Sequence, residues 1–312
     1  MTESVARADV FRLLAKITRV PDEARTFDVP SDEVRERYRI PLDVLDFMAA
    51  HGLSRGIGPD GEVAYDERDM TSVALHLGYS PVARVARRFW ATGLNLEPRA
   101  GRLHYRLEYQ GTCPDPGHGS VCRYRLARPG LGVVEQLVDA AGRVLARDTV
   151  SPETDWPPFS DAARALLSEA ADLDLLFVPR SLRYDLDFIR KARVCDCAGA
   201  TALLLDAAAR YGVQARWAFG LIAVPPFAAT HNWIEILTDG RWVPADPVLI
   251  KAMIEWGALD PTQWSPYRSP GAIFLRLADQ DGPVAVHEDV PVPVSMAIRV
   301  VDDPAATPVT QS

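Results

Sequence analysis

The chain has 312 residues, 48% hydrophobic and 24% charged, a net charge of −8 and a pI near 5.3. That length can bury a sizeable core and predicts two or three compact units, while the acidic balance, without a basic face, disfavours a nucleic-acid partner. No run of 18 apolar residues could span a membrane, and four cysteines in a chain this long make no disulfide scaffold, so a reducing compartment fits best.

The N-terminus shows no signal-peptide pattern, which makes a cytoplasmic protein the expectation. Only Lys16, Lys191 and Lys251 of the 34 basic residues are lysine, a bias that suggests a high-GC bacterial genome. Residues 1–100 read as mostly helical, with apolar residues at helical spacing over Val5–Ile17, Pro41–Ala50 and Met70–Leu77. Ser31 and Asp66 offer helix starts. Tyr38–Trp90 faintly suggests a helix-turn-helix domain with a wing-like turn at Gly56–Gly61. Its one basic cluster, Arg84, Arg87 and Arg88, reads as a solvated face, so the region is better taken as a helical cap.

From 101 to 155 the period becomes alternating. Four antiparallel strands are expected over Leu103–Tyr109, Val121–Leu126, Val133–Val138 and Val144–Val150, a β meander with a hairpin turn at Ala140-Ala-Gly. A helical stretch over Phe159–Ala171 opens the segment 156–300, which continues as helix and then strands. Residues 301–312 read as a disordered tail. The fold class is α+β.

The chemistry concentrates after Val194. Ala198–Arg210 is Ala/Leu-rich and helix-forming, Gly212 sits where a helix-ending glycine belongs, and Asp196 can cap the first turn. Cys197 then lies at a helix N-terminus, where unpaired N–H groups and the positive helix end favour a sulfur anion. Further on come His231-Asn-Trp-Ile-Glu, a Thr238-Asp-Gly turn, and Trp242-Val-Pro-Ala-Asp246-Pro. A two-residue loop of Thr238 and Asp239 would set His231 opposite Asp246. A three-residue loop ending at Gly240 would set it opposite Pro247. The expected roles are Cys197 as nucleophile, His231 as base and Asp246 as the group that orients the imidazole.

At this point the sequence resembles the transglutaminase-like superfamily. Asp196-Cys197 followed by Gly212-Val-Gln-Ala-Arg, His231-Asn-Trp-Ile-Glu, and Trp242-Val-Pro-Ala-Asp-Pro are similar to its three motifs in order and spacing. The resemblance covers about Val194–Pro247 and implies a papain-like core, a nucleophile helix packed on an antiparallel sheet, with the same three residues as triad. Asn232 departs from the small apolar residue usual at its position. Trp233, Trp242 and Asn232 are candidate substrate contacts, although both tryptophans are better read as core aromatics. The backbone N–H of Cys197 is one candidate oxyanion donor, and the second is unassigned.

Other residues take plainer readings. Cys195 is structural. Cys113, His118 and Cys122 offer three ligands where structural zinc wants four, so no metal is expected there. His51, His76, His104 and His287 are isolated, and Glu235 shares a strand face with His231. The expected reaction is acyl transfer without a cofactor: a thioester on Cys197, formed from an amide, ester or carrier-bound thioester, passes to an amine. A cysteine amidase or peptidase using water, and a non-catalytic interaction protein, remain alternatives.

Overall fold

The computed structural model describes residues 7–79, 81–95, 104–115 and 119–301. The expected tail at 302–312 and His118 lie outside the described residues. The chain forms two compact units, each built from several chain segments. The first comprises 1–91, 160–213 and 246–268; the second comprises 92–159, 214–245 and 269–312. The fold is α+β, with helices concentrated in the first unit and antiparallel sheets in the second.

In the first unit, the helix Arg7–Ile17 buries Val10, Leu13, Leu14 and Ile17, one face at 3.6-residue spacing. Helices follow at Ser31–Tyr38, Leu42–Ala50 and Glu67–Leu77. The last starts where Asp66 accepts from the backbone N–H groups of Arg68 and Asp69, and stops at Gly78, whose φ of 67° needs no Cβ. A short antiparallel sheet runs Phe27–Pro30, Val63–Asp66, Gly56–Ile57. Buried Arg25 donates to Asp69 (2.7 Å) and to the carbonyls of Ile17, the last residue of the first helix, and Val20 beyond it. Arg87, expected on a solvated face, instead donates to the His76 carbonyl and lies over the Trp256 ring, because its long stem packs well on an aromatic face.

These N-terminal helices share one core with the segment that leads to Cys197. Ile17, Met48, Met70 and Val73 pack in the same cluster as Leu176, Val178 and Val194. Asp174–Leu175 runs parallel to Val194–Cys195, and the Ser72 hydroxyl accepts from the Phe177 N–H. Asp174 itself meets three cations: Lys251 at 2.5 Å, Lys16 at 3.0 Å, and Arg19. Burial pushes its carboxyl up, but these partners outweigh it and hold the group well below the usual carboxylate range.

His76 is fixed from both sides. A carbonyl can only accept and an indole can only donate, so Nε2–H donates to Leu175 (2.7 Å) while Nδ1 accepts from Trp256 (3.1 Å). That assigns the neutral ring. Burial, with the nearby Lys16 and Arg87 charges, pushes its pKa from 6.5 down to about 4. The linked stability is fully present above pH 6.5 and is lost as pH falls toward 4, where the unfolded chain binds the extra proton. The shift caps this at about 3 kcal/mol, and since the residue as a whole is only half-buried the expected effect is about 2 kcal/mol. Urea unfolding of wild type and His76→Gln at pH 7.5 and pH 4.5 should show the difference between them shrinking by that amount. A difference independent of pH would contradict the neutral ring.

The second unit is built on two antiparallel sheets. One runs in the order Phe274–Ala278, Ala215–Val224, Phe227–Thr238, Ser295–Val301, His104–Gln110, Val144–Val150, with Arg241–Ala245 also paired to Phe227–Thr238. The other runs Val290–Pro291, Ala285–His287, Val121–Arg128, Gly132–Asp139. Alternate residues of both, such as Tyr105, Leu107 and Tyr109 against Cys122, Tyr124 and Leu126, enter one core. The four strands expected between 101 and 155 are present, but Ala140-Ala-Gly does not close a ladder. Gly132–Asp139 pairs with Val121–Arg128, whereas Val144–Val150 pairs with His104–Gln110. The turn therefore carries the chain from one sheet to the other.

Among the described residues, no helix is long and apolar enough to cross a membrane.

Candidate active site

Cys197 and Asp246 belong to the first unit, and His231 to the second. Cys197 is the first residue of the helix Cys197–Ala208, and Asp196 is its cap, accepting from the Gly199 N–H at 2.9 Å. The other carboxylate oxygen of Asp196 pairs with Arg183 at 2.6 Å, a partner that no local motif announced. Gly199 is required in this turn, since a Cβ there would lie 2.7 Å from the Arg183 carbonyl. The helix ends in a short 3-10 turn at Ala209–Tyr211, closed by Gly212 at φ 64°.

The two neighbouring thiols differ in kind. Cys195 is wholly buried, and burial, followed by the charges of Asp196 and Asp246, pushes its thiol well above the ordinary range. Such a sulfur stays protonated and inert. Cys197 is half-exposed at the helix tip. No disulfide joins the four cysteines.

Asp246 is also a helix cap. Its Oδ1 accepts from the Leu249 N–H at 2.8 Å, Pro247 occupies the first helical position, and the helix Pro247–Glu255 packs against Cys197–Ala208. The helices Cys197–Ala208 and Pro247–Glu255 thus each begin at an aspartate cap.

The hairpin register differs from both expected ones. The loop is Asp239-Gly240, at φ 51° and 78°, so Thr238 pairs with Arg241 and the ladder ends at Ile234 with Ala245. Both central residues of this turn need positive φ, which Asp and Gly adopt and β-branched Thr238 resists. Neither Asp246 nor Pro247 therefore stands opposite His231 in the ladder. Asp246 leaves the strand at φ −148° and ψ 84° to start its helix.

His231 is buried in the middle of Phe227–Thr238. Its ring stacks with Trp233 (centroids 6.4 Å apart, planes 19°) and meets Phe274 at 5.3 Å. Across the ladder stands Gly220, where a Cβ would fall 2.0 Å from the Leu275 carbonyl oxygen and 2.8 Å from the Trp233 ring. The missing side chain is what lets three strands and an indole close around His231. Gly220→Ala should cost about 3 kcal/mol, the upper range for overpacking, read as a fall in the thermal midpoint. A stability equal to wild type would mean that the strands part without strain.

Trp233 buries its indole Nε1 with no hydrogen-bond acceptor among the described residues. Glu235, further along the same face, pairs with Arg216 of the adjacent strand at 2.6 Å and with Arg276 of the strand beyond it at 3.3 Å. Trp242 lies under the Arg216 guanidinium at 4.3 Å. Asn232 alternates to the opposite face of the strand. There it accepts from the Trp217 indole (2.9 Å) and donates to Asp281 (3.4 Å).

Comparison with known proteins matches residues 159–247 to the family model described as the transglutaminase-like superfamily. Among solved structures, the chain is similar to a Cytophaga hutchinsonii protein named as a candidate cysteine protease, at 10% identity and a TM-score of 0.34, over 68% of this chain and 95% of that one. No curated protein matches. The segment 159–247 is thus transglutaminase-like, and that likeness supports a thiol enzyme in general terms.

Proposed function

We propose that the chain is a cysteine acyltransferase. Cys197 attacks the carbonyl of an amide, ester or carrier-bound thioester; His231 takes the thiol proton and returns it to the leaving group. Asp246 holds the imidazole in the required tautomer and steadies its charged form. The acyl-enzyme thioester then passes to an amine. The position of Cys197 carries this reading: a half-exposed sulfur on the first residue of a capped helix, within the segment that matches the superfamily. There the helix N–H groups stabilise charge that develops on the sulfur or on a bound oxyanion.

The cap at Asp246 is compatible with this role, since a carboxylate has a second oxygen. Cysteines that no disulfide joins suit a reducing, intracellular setting in small-molecule or peptide metabolism. The second reading is a hydrolase in which water resolves the same thioester.

Intact-mass measurement after incubation with a panel of thioesters and amides tests the proposal. A mass gain in wild type and none in Cys197→Ala supports it, and acyl amide formed when amines are added separates transfer from hydrolysis. Unmodified wild type across the panel, with no turnover, would favour a non-catalytic interaction protein.

A further inference from the structure

Three potential metal ligands meet in the second unit, on residues that the acyl-transfer reading does not use. Cys122 lies on the inner face of Val121–Arg128, two residues from Tyr124, which pairs directly with His287. Cys122 and His287 are therefore diagonal neighbours on one sheet face, and both are buried. Cys113 arrives from the loop after His104–Gln110, a strand of the other sheet, with its sulfur 3.9 Å from His287 Nε2. The two sulfurs and one imidazole nitrogen all lie within 4.8 Å of one another.

A tetrahedral zinc ion with bonds of about 2.3 Å to sulfur and about 2.1 Å to nitrogen holds its ligand atoms roughly 3.4–3.8 Å apart. The present spacing needs shifts of well under an ångström per atom to reach this. His287 is held in place by the tight turn at Glu288-Asp289 (φ 43° and 76°) and by the Tyr124 ring, centroids 4.9 Å away. Half-exposed Cys113 leaves a path from solvent. Two thiolates and an imidazole form a donor set that selects zinc over magnesium or calcium.

We propose that Cys113, Cys122 and His287 bind one zinc ion, with a water on the Cys113 side in the fourth position, and that the ion ties the loop after His104–Gln110 to the second sheet. Both thiol protons leave to solvent on binding. From sequence alone a metal was not expected, because no fourth ligand follows nearby; His287 stands 174 residues beyond Cys113.

The test uses the full chain, reduced and stripped with a chelator, titrated with cobalt(II) and then zinc. One equivalent should bind, cobalt should show thiolate charge-transfer absorption, and zinc should bleach it. Cys113→Ser, at the half-exposed position least able to disturb folding, and His287→Gln should each weaken zinc binding at least tenfold. Cys122→Ser should abolish the charge-transfer band. Cys197→Ala should bind as wild type does. Sub-stoichiometric binding, binding that survives Cys113→Ser and Cys122→Ser, or binding lost in Cys197→Ala would overturn the proposal. So would a reduced protein that ignores zinc yet readily forms a Cys113–Cys122 disulfide.

Discussion

Cys197→Ala is expected to lower turnover by at least about 10⁴-fold, because removing a nucleophile leaves only binding and oxyanion stabilisation. The same change should barely alter stability. Alanine is the strongest helix former, the residue is half-exposed, and the Asp196 cap draws on the Gly199 N–H rather than on the cysteine side chain. Cys195→Ala provides the contrast. That thiol is wholly buried, so its loss should cost about 1 kcal/mol of stability and leave the chemistry in place. Rates of substrate turnover and thermal midpoints of both variants decide the matter. Full activity in Cys197→Ala, or inactivation of a well-folded Cys195→Ala, would remove Cys197 from its role.

Asp246→Asn should lower turnover by roughly 10³- to 10⁴-fold while the thermal midpoint stays near that of wild type. Asparagine caps a helix as well as aspartate does, so the bond to the Leu249 N–H survives the change. What disappears is the negative charge that would hold the imidazole in its working tautomer. Alanine at this position would instead cost about 1 kcal/mol through the lost cap and confuse the two effects. Activity retained in Asp246→Asn would leave the aspartate as a helix cap alone.

The elements that carry the site were legible because their signals are local. Asp196 followed by an Ala/Leu run, Gly212 at the end of that run, and the alternating strands from 121 to 150 each follow from spacing within a few residues. The register failed on one turn. Thr238-Asp239-Gly240 contains two possible two-residue loops, and only the demand for positive φ at both centres selects Asp239-Gly240. Long-range partners were invisible for a different reason. Asp174 draws its cations from Lys16, Arg19 and Lys251, and His76 bonds to Leu175 and Trp256, distances along the chain that no spacing rule spans. His287 looked isolated because its two sulfur neighbours come from the other end of the second unit's sequence.

The stitching of the first helices to the strand beside Val194–Cys195 bears on modularity. A protein engineer who excised the superfamily-matched stretch would bare Leu176, Val178 and Val194 to water and strand Asp174 without any of its three cations. Such a fragment should emerge as an aggregating or molten species rather than a minimal enzyme, and grafts of this chemistry onto other scaffolds would have to carry the leading ninety-odd residues along.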